Sequence, residues 1–260
     1  MNLPADPVFY AVALATIFVI SFLKGGFGGG FATLGIPFLA FVMDPLDAAI
    51  VMAPLVALQD VFALKAYPPR TWSMPNLKLL APALVLGLCV GFLAFVYVDQ
   101  RIVVLAIAAI TLAFTLRWFV GRWFFADRPL SPPTKPRLGA AMLWGSMAGF
   151  TTFVAHSGGP PLQIYLLRQR LDKTVFAGTA AAFFAMGNVL KIGPYLWLGA
   201  GEPHLLWVAL VLAPTVPLGV WLGRKWHDRL DEKTLYLACY TLLACGGLKL
   251  LYDGVSGFLG

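Results

Sequence analysis

Lys24 to Pro37, KGGFGGGFATLGIP, is the stretch that most restricts how this chain can fold. It lies between two apolar runs, Val8–Leu23 and Phe38–Met43, and packs five glycines into six residues. Each glycine costs a helix about 1 kcal/mol relative to alanine. In hydrocarbon, backbone N–H and C=O groups freed from a helix find no water. Such backbone persists at membrane depth only where it is buried in protein or lines a polar cavity. A second stretch of the same character, Gly149 to Pro161 (GFTTFVAHSGGPP), follows about half a chain later. Interrupted hydrophobic segments at corresponding places in two halves point to a binding site between those halves.

Composition fixes the surroundings. The 260 residues are 60% hydrophobic and 12% charged, against about 25% charged in soluble domains. This is an integral membrane protein, with apolar runs long enough for helices rather than barrel strands. The net charge of +7 sits at the ends of those runs, where it orients a membrane protein and does not form a nucleic-acid face. The opening MNLPADPVFY has no Lys or Arg, so it lacks a signal-peptide n-region and is expected to remain as the first membrane segment. Cys89, Cys239 and Cys245 form no CxxC pair and the three histidines are scattered, so no metal or cofactor is expected. No HExxH, GxSxG or P-loop pattern occurs, and the chain reads as a non-enzyme.

The apolar segments are Val8–Leu23, Phe31–Met43, Ala48–Ala66, Leu77–Val98, Ile102–Phe125, Leu138–Ala155, Pro161–Leu167, Thr174–Leu198, Leu205–Gly223 and Thr234–Leu251. Val8–Leu23 would cover about 24 Å and Pro161–Arg170 about 15 Å, against a hydrocarbon core of about 30 Å. Each short segment therefore pairs with a broken one as a hairpin inside the bilayer. Arg117, Arg122, Arg128, Lys135 and Arg137 place the central linker in the cytoplasm. Counting outward from it puts both termini in the periplasm and gives the halves opposite orientation. Gly26-Phe27 falls on Gly149-Phe150, Gly35 on Gly158, Pro37 on Pro160 and Lys65 on Lys191, offsets of 123 to 126 residues. The fold expected is an all-α membrane protein, a polytopic helical bundle of two inverted-topology repeats, each with a broken, re-entrant hairpin. It has about eight full spans plus half-helices, about ten membrane segments. Residues 1–125 form the first repeat (hairpin 8–43), 126–137 the proline-rich linker and 138–260 the second repeat (hairpin 138–170).

Helices starting just after Gly28–Gly30 and after Gly158–Gly159 would aim N–H groups and partial positive charge into a cavity. That arrangement binds anions without a charged side chain. Pro160 and Pro161 suit the first turn of the second helix. The isolated Gly87, Gly91, Gly145 and Gly219 read instead as close helix packing. A dinucleotide fingerprint is excluded, because Phe31 stands where its last glycine would fall. Candidate solute contacts are Lys24, Gly25, Gly26, Gly28, Gly29, Gly30 and Thr33, then Thr151, Thr152, His156, Ser157, Gly158, Gly159, Pro160 and Gln163, with Gln59 and Asn188 on the following helices. His156 and Asp60, ionisable groups within membrane segments, are the candidates for proton coupling. Lys65 and Lys191 read as snorkelling side chains near helix ends.

GGFGGG at 25–30 leading to GIP at 35–37, and AHSGGPPLQIYLLRQRLDK at 155–173 followed by FAGTAAAFFAMGN, resemble the TauE/SafE family of membrane proteins over about Val8 to Tyr252. The resemblance implies a permease of the bacterial inner membrane for a small anion such as sulfite, sulfoacetate or another organosulfonate. It places the site at Gly25–Gly30 and His156–Pro161, with Asn188 and Lys191 as additions. The expectation is a secondary transporter working by alternating access with proton coupling; the alternatives are an anion channel of the same architecture and a non-transporting receptor or subunit. The expected partners are the anionic solute, the lipid bilayer and protons, without nucleic acid. The anion, the direction and homo-oligomerisation are left open.

Overall fold

A computed structural model describes residues 7–29, 31–124, 134–198, 203–227, 229 and 232–259. Among them every regular element is helical. In order these are α1 (Pro7–Phe27), a 3-10 turn (Ala32–Leu34), α2 (Gly35–Leu39), α3 (Pro45–Ala66), α4 (Met74–Tyr97), α5 (Gln100–Phe124), α6 (Leu138–Ala155), α7 (Gly159–Leu167), α8 (Lys173–Leu198), α9 (Pro203–Leu212), α10 (Thr215–Trp226) and α11 (Glu232–Leu259). Local chemistry sets several starts. Asp44 caps α3 by accepting from the Leu46 N–H at 2.8 Å, with Pro45 in the first turn, where a missing N–H does no harm. Six described helices are long and apolar enough to cross a membrane, or seven if the α9–α10 pair, bent by 40°, is one span.

One expectation about the hairpins needs correction. The first apolar run does not stop at Leu23: α1 continues through Lys24, Gly25 and Gly26 to Phe27, 21 residues in all, or about 31 Å at 1.5 Å per residue. That is long enough to cross alone. α7, by contrast, is as short as expected, with nine residues.

The glycines of α1 stay helical because another helix rests on them. A Cβ at Gly25 would collide with the Val220 carbonyl of α10, and one at Gly223 with the Phe22 carbonyl of α1. The α4–α6 seam is built the same way: Gly87 lies against the Ser146 carbonyl, and a Cβ at Gly91 would come within 2.7 Å of the Phe153 Cβ. Small residues let backbones approach closely where apolar burial alone gives no drive in lipid. Gly87, Gly145 and Gly219 all meet neighbouring helices in this way. The major packings pair α1 with α10, α4 with α6, α3 with α8 and α5 with α11. Exchanging residues before the linker with those after it maps this set onto itself. The result brings α1, α3, α6 and α8 together around one buried centre.

Candidate functional site

The first break lies at Gly28 and Gly29, whose φ values of +79° and +137° suit glycine alone. Gly28 still donates to the Lys24 carbonyl at 2.8 Å, so the chain leaves α1 later than the sequence indicates. After the break comes only a 3-10 turn and the five-residue α2. The expected helix N-terminus behind Gly28–Gly30 is therefore not a regular one, since α2 is only five residues long. Gly30 and the side chain of Thr33 lie outside the described residues. The carbonyls at the end of α1 are held from two directions. Tyr67 donates its hydroxyl to Gly25 O at 3.1 Å and lies 3.4 Å from Gly26 O, while buried His227 bonds Gly26 O through Nδ1.

At the second break α6 ends on His156 in the left-handed region, φ +49°. The N–H groups of His156 and Ser157 both turn back to the Thr151 carbonyl, the latter at 3.0 Å. Thr151 Oγ1 in turn lies 2.8 Å from Met147 O and 3.0 Å from Ser157 O. Its one proton is committed to the turn, so Thr151 knits the break rather than presenting a donor. Tyr195 of α8 donates to the Phe153 carbonyl. α7 follows with Gly158 at its N-cap and Gly159, Pro160 and Pro161 as its first residues. The two prolines have no N–H, so Gly158 and Gly159 carry the donors of that first turn.

Between the breaks lies a cluster of buried polar side chains from four helices. Lys24 Nζ is 2.5 Å from Asp60 Oδ1 and donates at 3.4 Å to Val56 O. Asn188 Nδ2 donates to Asp60 Oδ2 at 2.5 Å. Lys191 Nζ donates to Thr152 O at 3.0 Å and faces His156 Nδ1 at 3.0 Å. His156 Nε2 in turn lies 3.1 Å from Ala49 O. Assigned from these partners, the imidazole is the neutral tautomer that donates from Nε2 and accepts at Nδ1. Gln59 Nε2 donates to Ser21 Oγ at 3.0 Å. Lys24, Asp60, Asn188, His156 and Lys191 are each at most 5% exposed. Asp60 already neutralises Lys24, and no carboxylate among the described residues lies within ion-pair distance of Lys191. A lone buried ion is costly, by several kcal/mol, unless it is compensated.

The structure thus gathers Lys24, Asp60, Asn188 and His156, with Thr152 contributing its carbonyl, and buries Ser157 beside them. Gln163 and Pro160 line a different space, a cavity of about 880 Å³ between α5, α7 and α11 that also borders Arg117 and Tyr240. Lys65 is exposed as a snorkelling residue would be. Lys191 is not: it is 1% exposed, eighth from the end of α8 by position, and borders a cavity of about 180 Å³ with Cys89, Phe92 and Phe153. The snorkelling reading of Lys191 is overturned by this depth. A signal for it was present, because Lys191 follows Asn188 by three residues and so shares its helix face. Tyr67, Tyr195 and His227 carry no sequence signal of comparable strength.

The anchors recur at one spacing. Tyr67 and Tyr195, their acceptors Gly25 and Phe153, the facing Asp60 and Asn188, and the positive-φ Gly28 and His156 are each separated by 128 residues. This exceeds the 123 to 126 suggested by the glycine and proline matches. A family model described as Sulfite exporter TauE/SafE matches residues 13–250. Comparison with curated proteins and with solved structures finds no match.

Proposed function

Because the chain belongs to the TauE/SafE sulfite exporter family, whose members are membrane transporters of sulfur anions, we propose that it is a secondary transporter whose solute binds at the Lys24–Asp60–Asn188–His156–Lys191 cluster. The solute is a small sulfur oxyanion or organosulfonate, moved across the bacterial inner membrane by alternating access. The observation that carries this reading is Lys191, buried to 1% exposure with no carboxylate within ion-pair distance among the described residues. Lys24 and Asp60 cancel and His156 is neutral, so the cluster carries one net positive charge. A bound anion completes it. Asn188 and the first-turn N–H groups of Gly158 and Gly159 supply further donors.

Two inverted repeats, residues 1–125 and 138–260, fit this function. They are supported by the 128-residue recurrence of the tyrosine anchors and by the helix pairings that survive exchange of the halves. The site then lies where α3 and α8 meet, with both termini periplasmic. Coupling to protons runs through His156 or Asp60. A proton on His156 Nδ1 would confront the Lys191 ammonium at 3.0 Å, so protonation and the position of Lys191 are linked.

The test is a thermal-shift panel of sulfite, sulfate, thiosulfate, sulfoacetate, taurine and acetate on purified protein, with flux in proteoliposomes. The expected result is stabilisation by one or more sulfur anions in the wild type and none in Lys191→Met. A panel without any shift, or a Lys191→Met protein that responds like the wild type, would remove the reading. Saturating flux with uphill accumulation separates a carrier from a channel.

A further inference from the structure

Phe184 occupies the space between the two breaks. A Cβ on Gly29 would stand 2.7 Å from Phe184 Cδ2, and one on Gly158 would stand 3.2 Å from Phe184 Cε1. Opposite edges of one ring therefore abut the two glycine turns. The same ring packs edge-on against Phe183, with centroids 5.5 Å apart, and is 7% exposed. Phe184, Asn188 and Lys191 stand at i, i+4 and i+7 of α8, one face of one helix. Reading along that face, an apolar ring is followed by an amide and then by the unpaired cation.

We infer that Phe184 is the size-determining residue of the anion site, a ring that fills the room beside Asn188 and Lys191 and limits the organic part of the solute. This rests on the reading of the cluster as the transport site and specifies its selectivity. The polar end of the solute is met by Lys191, Asn188 and the N–H groups at Gly158 and Gly159. Whatever is attached to that end must share the gap between the breaks with the ring. Gly29 and Gly158 cannot make that gap smaller or larger by their own side chains, which leaves Phe184 to set it. The chemical class favoured is an oxyanion with little or no carbon, over longer alkanesulfonates.

The experiment uses full-length protein in proteoliposomes and measures initial uptake of sulfite and of an alkanesulfonate series from methanesulfonate to hexanesulfonate. Wild type, Phe184→Ala and Phe184→Leu are compared, and unfolding midpoints without anion check that each is folded. The expected result is a rise of at least tenfold in the ratio of hexanesulfonate to sulfite uptake for Phe184→Ala, with Phe184→Leu in between. An unchanged ratio in a folded variant, including a uniform fall in all rates, overturns the inference. If Phe184→Ala does not fold, Phe184→Leu and Phe184→Met are held to the same criterion with a threefold rise. Wild-type protein that takes up none of these anions would count against the transport reading itself, whereas normal sulfite uptake with an unaltered series would count against Phe184 alone.

Discussion

The two breaks answer the same problem with different chemistry. At the first, the cation of the site brings its own counter-ion: Lys24 is closed by Asp60, and the end of α1 is gripped by both Tyr67 and His227. At the second, the anchor is Tyr195 alone among the matched groups, and the cation Lys191 faces a neutral imidazole and a carbonyl. In the proposed reading one side is electrically complete and the other, with Lys191 charged, is one negative charge short. Under that reading the inequality is what a bound anion completes, because two completed pairs would have nothing to offer a solute and two open cations would destabilise the empty protein.

Substitutions can break this comparison in a graded way. Lys24→Met should do the most damage to folding, since it strands Asp60 in the interior; a loss of about 3–5 kcal/mol is expected, read by denaturant unfolding in detergent. Lys24→Met with Asp60→Asn should recover most of that loss, which a purely local packing defect would not allow. Lys191→Met should behave in the opposite manner. Its unfolding midpoint without anion should hold or rise, while sulfur-anion affinity falls by roughly 100-fold, about 3 kcal/mol; retained affinity would show that the open charge is not the receptor. Tyr195→Phe leaves a buried carbonyl without its donor and should cost about 1–3 kcal/mol. Tyr67→Phe likewise removes the donor from Gly25 O and should cost a similar amount, about 1–3 kcal/mol, because His227 holds the neighbouring Gly26 O and not Gly25 O. A clearly smaller loss for Tyr67→Phe would mean that another donor takes over Gly25 O.

Much of this was written in local residue order. The helical membrane class, the two glycine interruptions, and the depth of Lys24, Asp60, His156 and Asn188 all follow from where polar residues interrupt apolar runs. Gly25 and Gly26 misled, because their helical state depends on α10, nearly two hundred residues away, and no local propensity reports a partner at that distance. Lys191 misled for a related reason. Distance from a helix end suggests a route to water, but α6 covers it from the side through Thr152 and His156. Proximity in sequence groups Thr151 and Gln163 with the site. Turn geometry consumes the first, and the helical rotation of α7 directs the second toward α5 and α11.

The paired glycine seams carry a consequence for motion. Where Gly87 meets α6 and Gly223 meets α1, main chain rests directly on main chain. At those two points there is no side chain to unpick, so sliding of one helix along the other is resisted chiefly elsewhere in each seam, as where Phe92 and Phe95 of α4 pack edge-on against Phe153 of α6. A single methyl group added at Gly223 would meet the Phe22 carbonyl and force α1 and α10 apart.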